Sequence, residues 1–176
     1  MVMKVEPVVE CVEAVRGQDE SAGHLVMLTP QGRRLDQLAV ERLARHKRIL
    51  LMCGRYEGFD ERIRLILEPE EISVGDYVLN GGEVAAMVVI DATIRLVPGV
   101  LGDEDSSVYD SFSGDRRWLE CAQYTRPREY RGHEAPSVLL NGHHEEIDRW
   151  REEDSRRRTL ERRKDLLDND EGTKKL

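Results

Sequence analysis

Two glycine-rich segments, each set just behind a short apolar run, constrain this 176-residue chain more than any other feature. Cys53-Gly54-Arg55-Tyr56-Glu57-Gly58 follows the run Arg48 to Met52, and Gly75-Asp76-Tyr77-Val78-Leu79-Asn80-Gly81-Gly82-Glu83 lies downstream of it. Each sets glycines beside one tyrosine and one glutamate. Glycine takes backbone angles that a Cβ resists and lets a ligand approach the main chain. Tyrosine adds a flat apolar face with a polar tip. In open α/β sheets ligands collect at the carboxyl ends of the strands. Two such loops converging would form a pocket for a flat, polar heterocycle; taken singly, each is equally a tight turn. Neither fits the G-x-x-x-x-G-K-[ST] or G-x-G-x-x-G nucleotide templates.

The rest of the first half reads as strands alternating with helices, an α/β layer architecture. His24 to Leu28 is a short buried strand, stopped by Thr29-Pro30-Gln31-Gly32. Residues 35–47 carry Leu35, Leu38, Ala39, Leu43 and Ala44 on one helical face. Arg48 to Met52 is a second strand, Asp60 to Leu67 a short helix, and Pro69 breaks the chain after it. Asn80 with Glu83 resembles a capping box. Val84, Met87, Val88 and Ile94 then mark a helix that ends before Pro98-Gly99. Residues 102–112 are acidic and polar and read as a linker, beyond which 113–140 are irregular. His143 to Leu167 reads as helical, as one helix or two, with Ile147, Trp150, Leu160, Leu166 and Leu167 as candidate anchors.

Charge excludes less than it first suggests. The net charge is −8, yet residues 113–176 hold 15 basic and 15 acidic residues, with Arg156-Arg157-Arg158 and Arg162-Arg163-Lys164 bunched. A solvated helix face laced with ion pairs explains these clusters. So does a local basic stripe that meets phosphates, because near charges dominate within a Debye length of about 8 Å. No run of about 18 apolar residues is present to span a membrane. The start lacks a signal-peptide pattern, and Cys11, Cys53 and Cys121 show no metal-ligand spacing, so reduced thiols in a cytoplasm are expected. Asp110 alone is an ordinary solvated aspartate, and Arg95 a cation favourable at a helix C-terminus. His143 and His144 are adjacent, point apart, and share no metal.

The segments CGRYEG, SVGDYVLNGGE, IRLVPGVLG, DSF, YTRP and HHEEIDRWR occur in order and with nearly constant family spacing from about Met1 to Leu167. Together they resemble the bacterial tRNA (guanine-N1)-methyltransferases, which methylate the guanosine just 3′ of the anticodon. The resemblance implies an α/β, trefoil-knotted SPOUT methyltransferase domain followed by a small helical C-terminal domain. It implies a knotted cofactor-binding domain over 1–101, truncated at its N-terminus, an interdomain linker over 102–112, and a helical tRNA-binding domain over 113–176. It further implies S-adenosylmethionine as cofactor, tRNA as partner, a homodimer and a cytoplasmic location, and it admits Mg2+ as an assisting ion.

Carried over by position, the cofactor pocket falls on Leu28, Thr29 and Pro30, on Gly54, Tyr56 and Glu57, and on Ser73, Val74, Gly75, Tyr77, Leu79, Gly81 and Gly82. The catalytic pair falls on Arg95 and Asp110, with Asp110 reaching a site formed mainly by the other subunit. Removing the proton from guanine N1 needs a base within hydrogen-bond reach, which an aspartate supplies. Negative charge spreading to O6 is stabilised by a positioned arginine. Residues 102–112 are expected to order when tRNA binds.

The chain also departs from the family. About sixty residues that usually precede Met1 in the family, including a first strand, are not in this sequence; either the true start lies further upstream or the chain is a truncated relative, and without that strand an unpaired edge and an open apolar face are expected. Ala85 stands where the family usually has a proline by the cofactor, and two extra residues fall between Asp110 and Cys121. Two rival readings remain: a truncated relative that binds cofactor or RNA without turnover, and a knotted methyltransferase acting on another RNA.

Overall fold

The computed structural model describes residues 1–100 and 110–167. The chain divides into two compact units, residues 1–102 and 103–176. The first is a mixed α/β unit around a three-stranded parallel sheet. Strand β1 (His24–Arg34) lies between β2 (Ile49–Cys53) and β3 (Glu70–Ser73). Helices α1 (Val5–Arg16), α2 (Gln37–Leu43), α3 (Glu61–Leu67) and α4 (Gly82–Ile94) complete it.

The sequence His-Leu-Val-Met-Leu becomes the central strand because both of its faces are covered. Leu25 and Met27 pack with Val5 and Val12 of α1 and with Ile63 and Leu67 of α3. Val26 and Leu28 point the other way, onto Leu43 of α2 and Ala85, Ala86 and Val89 of α4. A strand buried on both faces reads as a continuous apolar run. Burying a side chain such as Ile63 or Leu43 stabilises the unit by about 1.5–3 kcal/mol.

The helices start where short polar residues satisfy free N–H groups. The Asp36 carboxylate accepts from Ala39 N at 2.8 Å, and Asp60 accepts from Arg62 N at 3.0 Å. Hydrogen bonds from Arg62 hold the Asp60 carboxyl at a pKa of about 2. Glu68, in the left-handed region at φ 44°, closes α3 ahead of Pro69.

Several expectations are corrected. β1 does not stop at Thr29: Leu28 and Arg33 both register on Ile72, with residues 29–32 bulging out between them, and Arg34 then pairs with Ser73. A Cβ on Gly32 would lie 2.4 Å from Ile72 N and 2.5 Å from Glu71 C, so only glycine allows this crossing. The turn residues mark a detour of the strand and not its end. The helix expected over 35–47 is confined to Gln37–Leu43. The expected capping box does not form, since Gly81 is the N-cap of α4 and Glu83 accepts instead from Arg55 Nε at 2.7 Å. The helix marked by Val84, Met87, Val88 and Ile94 is present, but those side chains do not form its buried face. Ala85, Ala86, Val89 and Thr93 are buried, while Val84, Met87, Val88 and Ile94 are exposed. Small side chains let α4 sit close on the sheet, which turns the larger ones outward.

Two elements were not foreseen, α1 and the short β3. The segment before α1 is tied to the first glycine loop: Met3 N donates to Gly58 O at 2.9 Å, and Asp60 N to Met3 O at 3.1 Å. Within the described sheet β2 is an edge strand. An apolar groove of about 670 Å3 lies beside it, lined by Val8, Val12, Leu50, Met52 and Phe59 among others.

In the second unit, β4 (Glu129–Tyr130) and β5 (His133–Glu134) form a hairpin. Its two tip residues, Arg131 and Gly132, both have positive φ, as a tight two-residue hairpin turn requires. A 3-10 turn (Ser137–Leu140) and the 19-residue helix α5 (His144–Arg162) come next. Leu160, expected as an anchor, is 53% exposed, and the buried positions of α5 are Asp154 and Thr159. Residues 102–109 of the expected linker lie outside the described residues, so the expected ordering of that segment does too; residues 110–112 belong to a hydrogen-bonded turn.

Candidate active site

A cavity of about 350 Å3 opens where the detour of β1 meets the carboxyl ends of β2 and β3, the kind of place where ligands of open α/β sheets bind. Every residue expected at the cofactor pocket lines it: Leu28, Thr29 and Pro30 from β1, Gly54, Tyr56 and Glu57 after β2, and Ser73, Val74, Gly75, Tyr77, Leu79, Gly81 and Gly82 after β3.

Local geometry explains why these residue types recur. Ser73 Oγ donates to Gly75 O at 3.1 Å and accepts from Gly75 N at 3.2 Å, folding the chain into a tight bend directly after β3. Tyr77 Oη donates back to Val74 O at 3.1 Å, so its ring lies across Gly75. Tyr56 itself takes a left-handed φ of 59° in the first loop. The two loops are joined by a backbone bond, Gly82 N to Gly54 O, at 2.8 Å. The start of α4 therefore rests directly on the exit of β2.

The wall is part apolar, through Leu28, Ile72, Val74 and Leu79, and part main chain. Of its charged groups, Arg55 pairs with Glu83 at 2.7 Å, and Arg64 with Glu71 and Glu61 at 2.9 Å each. Among the described residues no ion pair engages Glu57, which leaves an exposed carboxylate on the rim. Cys53 sits beneath the α4 start; burial, and then the charge of Glu83, push its thiol pKa up. No three His, Cys, Asp or Glu side chains gather as a metal-ligand set among the described residues. None of their helices is long and apolar enough to cross a membrane.

Arg95 is the C-cap residue of α4 and is exposed; Asp110 is half-buried in the second unit. Sequence reasoning missed Gln31, Arg55, Gly58, Phe59, Arg64, Ile72, Val78 and Asn80 as lining residues, whereas Ala85, expected beside the cofactor, does line the cavity. Arg55, Gly58, Val78 and Asn80 lie inside the glycine motifs and could have been read there. Arg64 and Ile72 carried no such signal, because they come from α3 and from the unforeseen β3.

In the second unit the arginine clusters split by face. Arg157 pairs with Asp154 and with Glu161, Arg158 is half-buried, and Arg156 is exposed. Arg163 pairs with Asp165 at 2.7 Å. Part of the basic stretch is thus an ion-pair lattice and part of it faces outward.

Comparison with known proteins matches the sequence to a family. Residues 1–169 match the family model described as tRNA (Guanine-1)-methyltransferase TrmD. A tRNA (guanine-N(1)-)-methyltransferase of Rhodopirellula baltica is 59% identical over 181 residues, covering 100% of this chain and 75% of the relative. Relatives of the same name from Dehalococcoides mccartyi and Carboxydothermus hydrogenoformans are 54% and 52% identical, covering 96% and 95% of this chain but 67% and 64% of their own length. The chain thus spans about two thirds to three quarters of the relatives it matches. With a parallel α/β unit, a cavity at its strand ends and this match along nearly its whole length, the chain belongs to the tRNA (guanine-N1)-methyltransferase family.

Proposed function

We propose that this chain transfers a methyl group from S-adenosylmethionine to N1 of the guanosine 3′ of the anticodon in tRNA. The observation that carries the reading is the convergence of all thirteen expected cofactor residues on one cavity. Its volume lies in the range of small-molecule sites, roughly 300–1,000 Å3. The residues fit the cofactor. Leu28, Ile72, Val74 and Leu79 offer an apolar slot for a heterocycle, and the glycine loops bring main-chain groups within reach. Glu57 offers a carboxylate suited to a cationic ligand, and the N-terminus of α4 a partial positive charge suited to an anionic group. When bound, S-adenosylmethionine supplies an electrophilic methyl group.

The chain's own residues supply the rest. Asp110 takes the proton from guanine N1, and Arg95 stabilises the charge that develops on O6. The knotted topology, the helical character of the second domain and the boundaries 1–101, 102–112 and 113–176 belong to the same proposal. So do the cytoplasmic setting and Mg2+ as an assisting ion.

The chain works as a homodimer. α4 is apolar all round, a pattern of buried helices, yet Val84, Met87, Val88, Ile90 and Ile94 are 46–67% exposed in the single chain. A second copy would cover them. Met87→Glu is expected to yield a monomer by sedimentation; an unchanged mass would count against α4 as the interface. Neither a binding-only relative nor another RNA substrate is favoured by any feature described above.

The activity is tested by methyl transfer from labelled S-adenosylmethionine to two tRNA transcripts, one with guanosine and one with adenosine after the anticodon. Label is expected only in the first; equal labelling of both would overturn the proposed specificity.

A further inference from the structure

The buried residues of α5, Asp154 and Thr159, are polar, and each accepts from a main-chain N–H of the stretch 119–122. Thr159 is fully buried and its Oγ1 accepts from Leu119 N at 3.0 Å while donating to Ser155 O at 2.8 Å. Ser155 Oγ donates to Leu119 O at 2.5 Å. Both main-chain groups of Leu119 are thus held by side chains one helical turn apart. Asp154 accepts from Ala122 N at 2.8 Å.

From Leu119 the bonding continues towards Asp110. Glu120 N donates to Ser111 Oγ at 3.0 Å, and Phe112 N to Trp118 O at 2.8 Å. Arg117 Nη1 donates to Phe112 O at 2.9 Å. Asp110 O accepts from Ser113 N at 3.2 Å and from Ser113 Oγ at 2.6 Å. Phe112 is held at φ 70°, a left-handed conformation that a bulky residue keeps only under external constraint.

We infer that Thr159 and Ser155 are positioning residues for Asp110: their clamp on Leu119 fixes the turn from which Asp110 projects. Arg156, next to Ser155, lies on an exposed face of the same helix. A helix that meets tRNA on that face therefore also sets the place of the proton acceptor. The inference rests on the proposed role of Asp110 and adds to it the residues that place the carboxylate.

The test compares Thr159→Val, Thr159→Ser and Asp110→Asn in the full chain. A displacement of about 1 Å can cost on the order of 100-fold in rate. Thr159→Val is expected to lower kcat by roughly 10- to 100-fold with KM for S-adenosylmethionine and tRNA unchanged, and Thr159→Ser to restore it. Amide hydrogen exchange supplies a readout independent of turnover. Phe112 and Glu120 should exchange roughly tenfold faster or more in Thr159→Val, since the clamping bond is lost. Ser155→Ala, a smaller lesion on the same peptide, carries the same test where Thr159→Val does not fold. Wild-type kcat, or unchanged exchange at Phe112 and Glu120, in the folded variant would overturn the inference. Retained turnover in Asp110→Asn would instead overturn the role of Asp110 itself.

Discussion

Gly82 is where the pocket and the fold depend on the same few tenths of an ångström. A Cβ at this position would lie 2.7 Å from Cys53 Cα and 2.8 Å from Gly54 N, both backbone atoms of the β2 exit. Neither can rotate away, so Gly82→Ala must move the α4 start by about 0.7 Å to reach an ordinary 3.4 Å contact. Overpacking of this kind costs about 1–3 kcal/mol. Alanine would return up to about 1 kcal/mol through helix propensity, and less at a first helical residue. The net expectation is a loss of about 1–2 kcal/mol, or roughly 5–10 °C in the unfolding midpoint of a unit this size. Lifting α4 also lengthens the Gly82 N to Gly54 O bond and widens the cavity, so the affinity for S-adenosylmethionine should fall by about tenfold. Thermal unfolding and calorimetric titration with the cofactor measure both. Gly17→Ala is the control, because a Cβ there meets only carbonyl oxygens at 3.6 Å. A Gly82→Ala protein as stable as the control and equally able to bind cofactor would refute the close packing of α4 on β2.

Charged and titrating groups give further outcomes. Burial raises the Asp154 pKa, but the bond from Ala122 N and the guanidiniums of Arg157 and Arg158 outweigh it, and the net displacement is downward. Its contribution is therefore present above the ordinary carboxylate pKa and lost as pH falls through the lower folded value. Asp154→Asn should flatten that acid limb in pH-dependent unfolding of the second unit. Arg156→Ala should weaken tRNA binding and reduce the slope of log K against log salt by about one. Arg157→Ala should act mainly on stability, because its guanidinium is committed to Asp154 and Glu161. Cys11 is exposed, whereas the Cys53 thiol is partly buried with a raised pKa, so iodoacetamide should label Cys11 first.

How much of each element is legible in the sequence depends on the kind of interaction that holds it. The first half of β1, β2 and α3 were legible because apolar runs, period and the cap at Asp60 agree with one another. α1 was not foreseen although its signal is there, since Val5, Val8, Val9 and Val12 recur at helical spacing. β3 was not, because Glu70-Glu71-Ile72-Ser73 is short and acidic and exists as a strand only through its pairing with β1. The detour at residues 29–32 read as a stop because its turn residues are real while the rejoining at Arg33 is a tertiary event. The pocket was legible as motif, but Arg64 and Ile72 enter it through elements placed by packing. The polar clamp of α5 had no sequence signature, because its partners are backbone groups.

The most direct test of the proposed chemistry is the nucleoside made when this chain is incubated with S-adenosylmethionine and unmodified tRNA. Digestion and mass spectrometry should show 1-methylguanosine at the position 3′ of the anticodon, absent with Asp110→Asn. A methyl group on another base or on ribose, or 1-methylguanosine formed undiminished by Asp110→Asn, would contradict it.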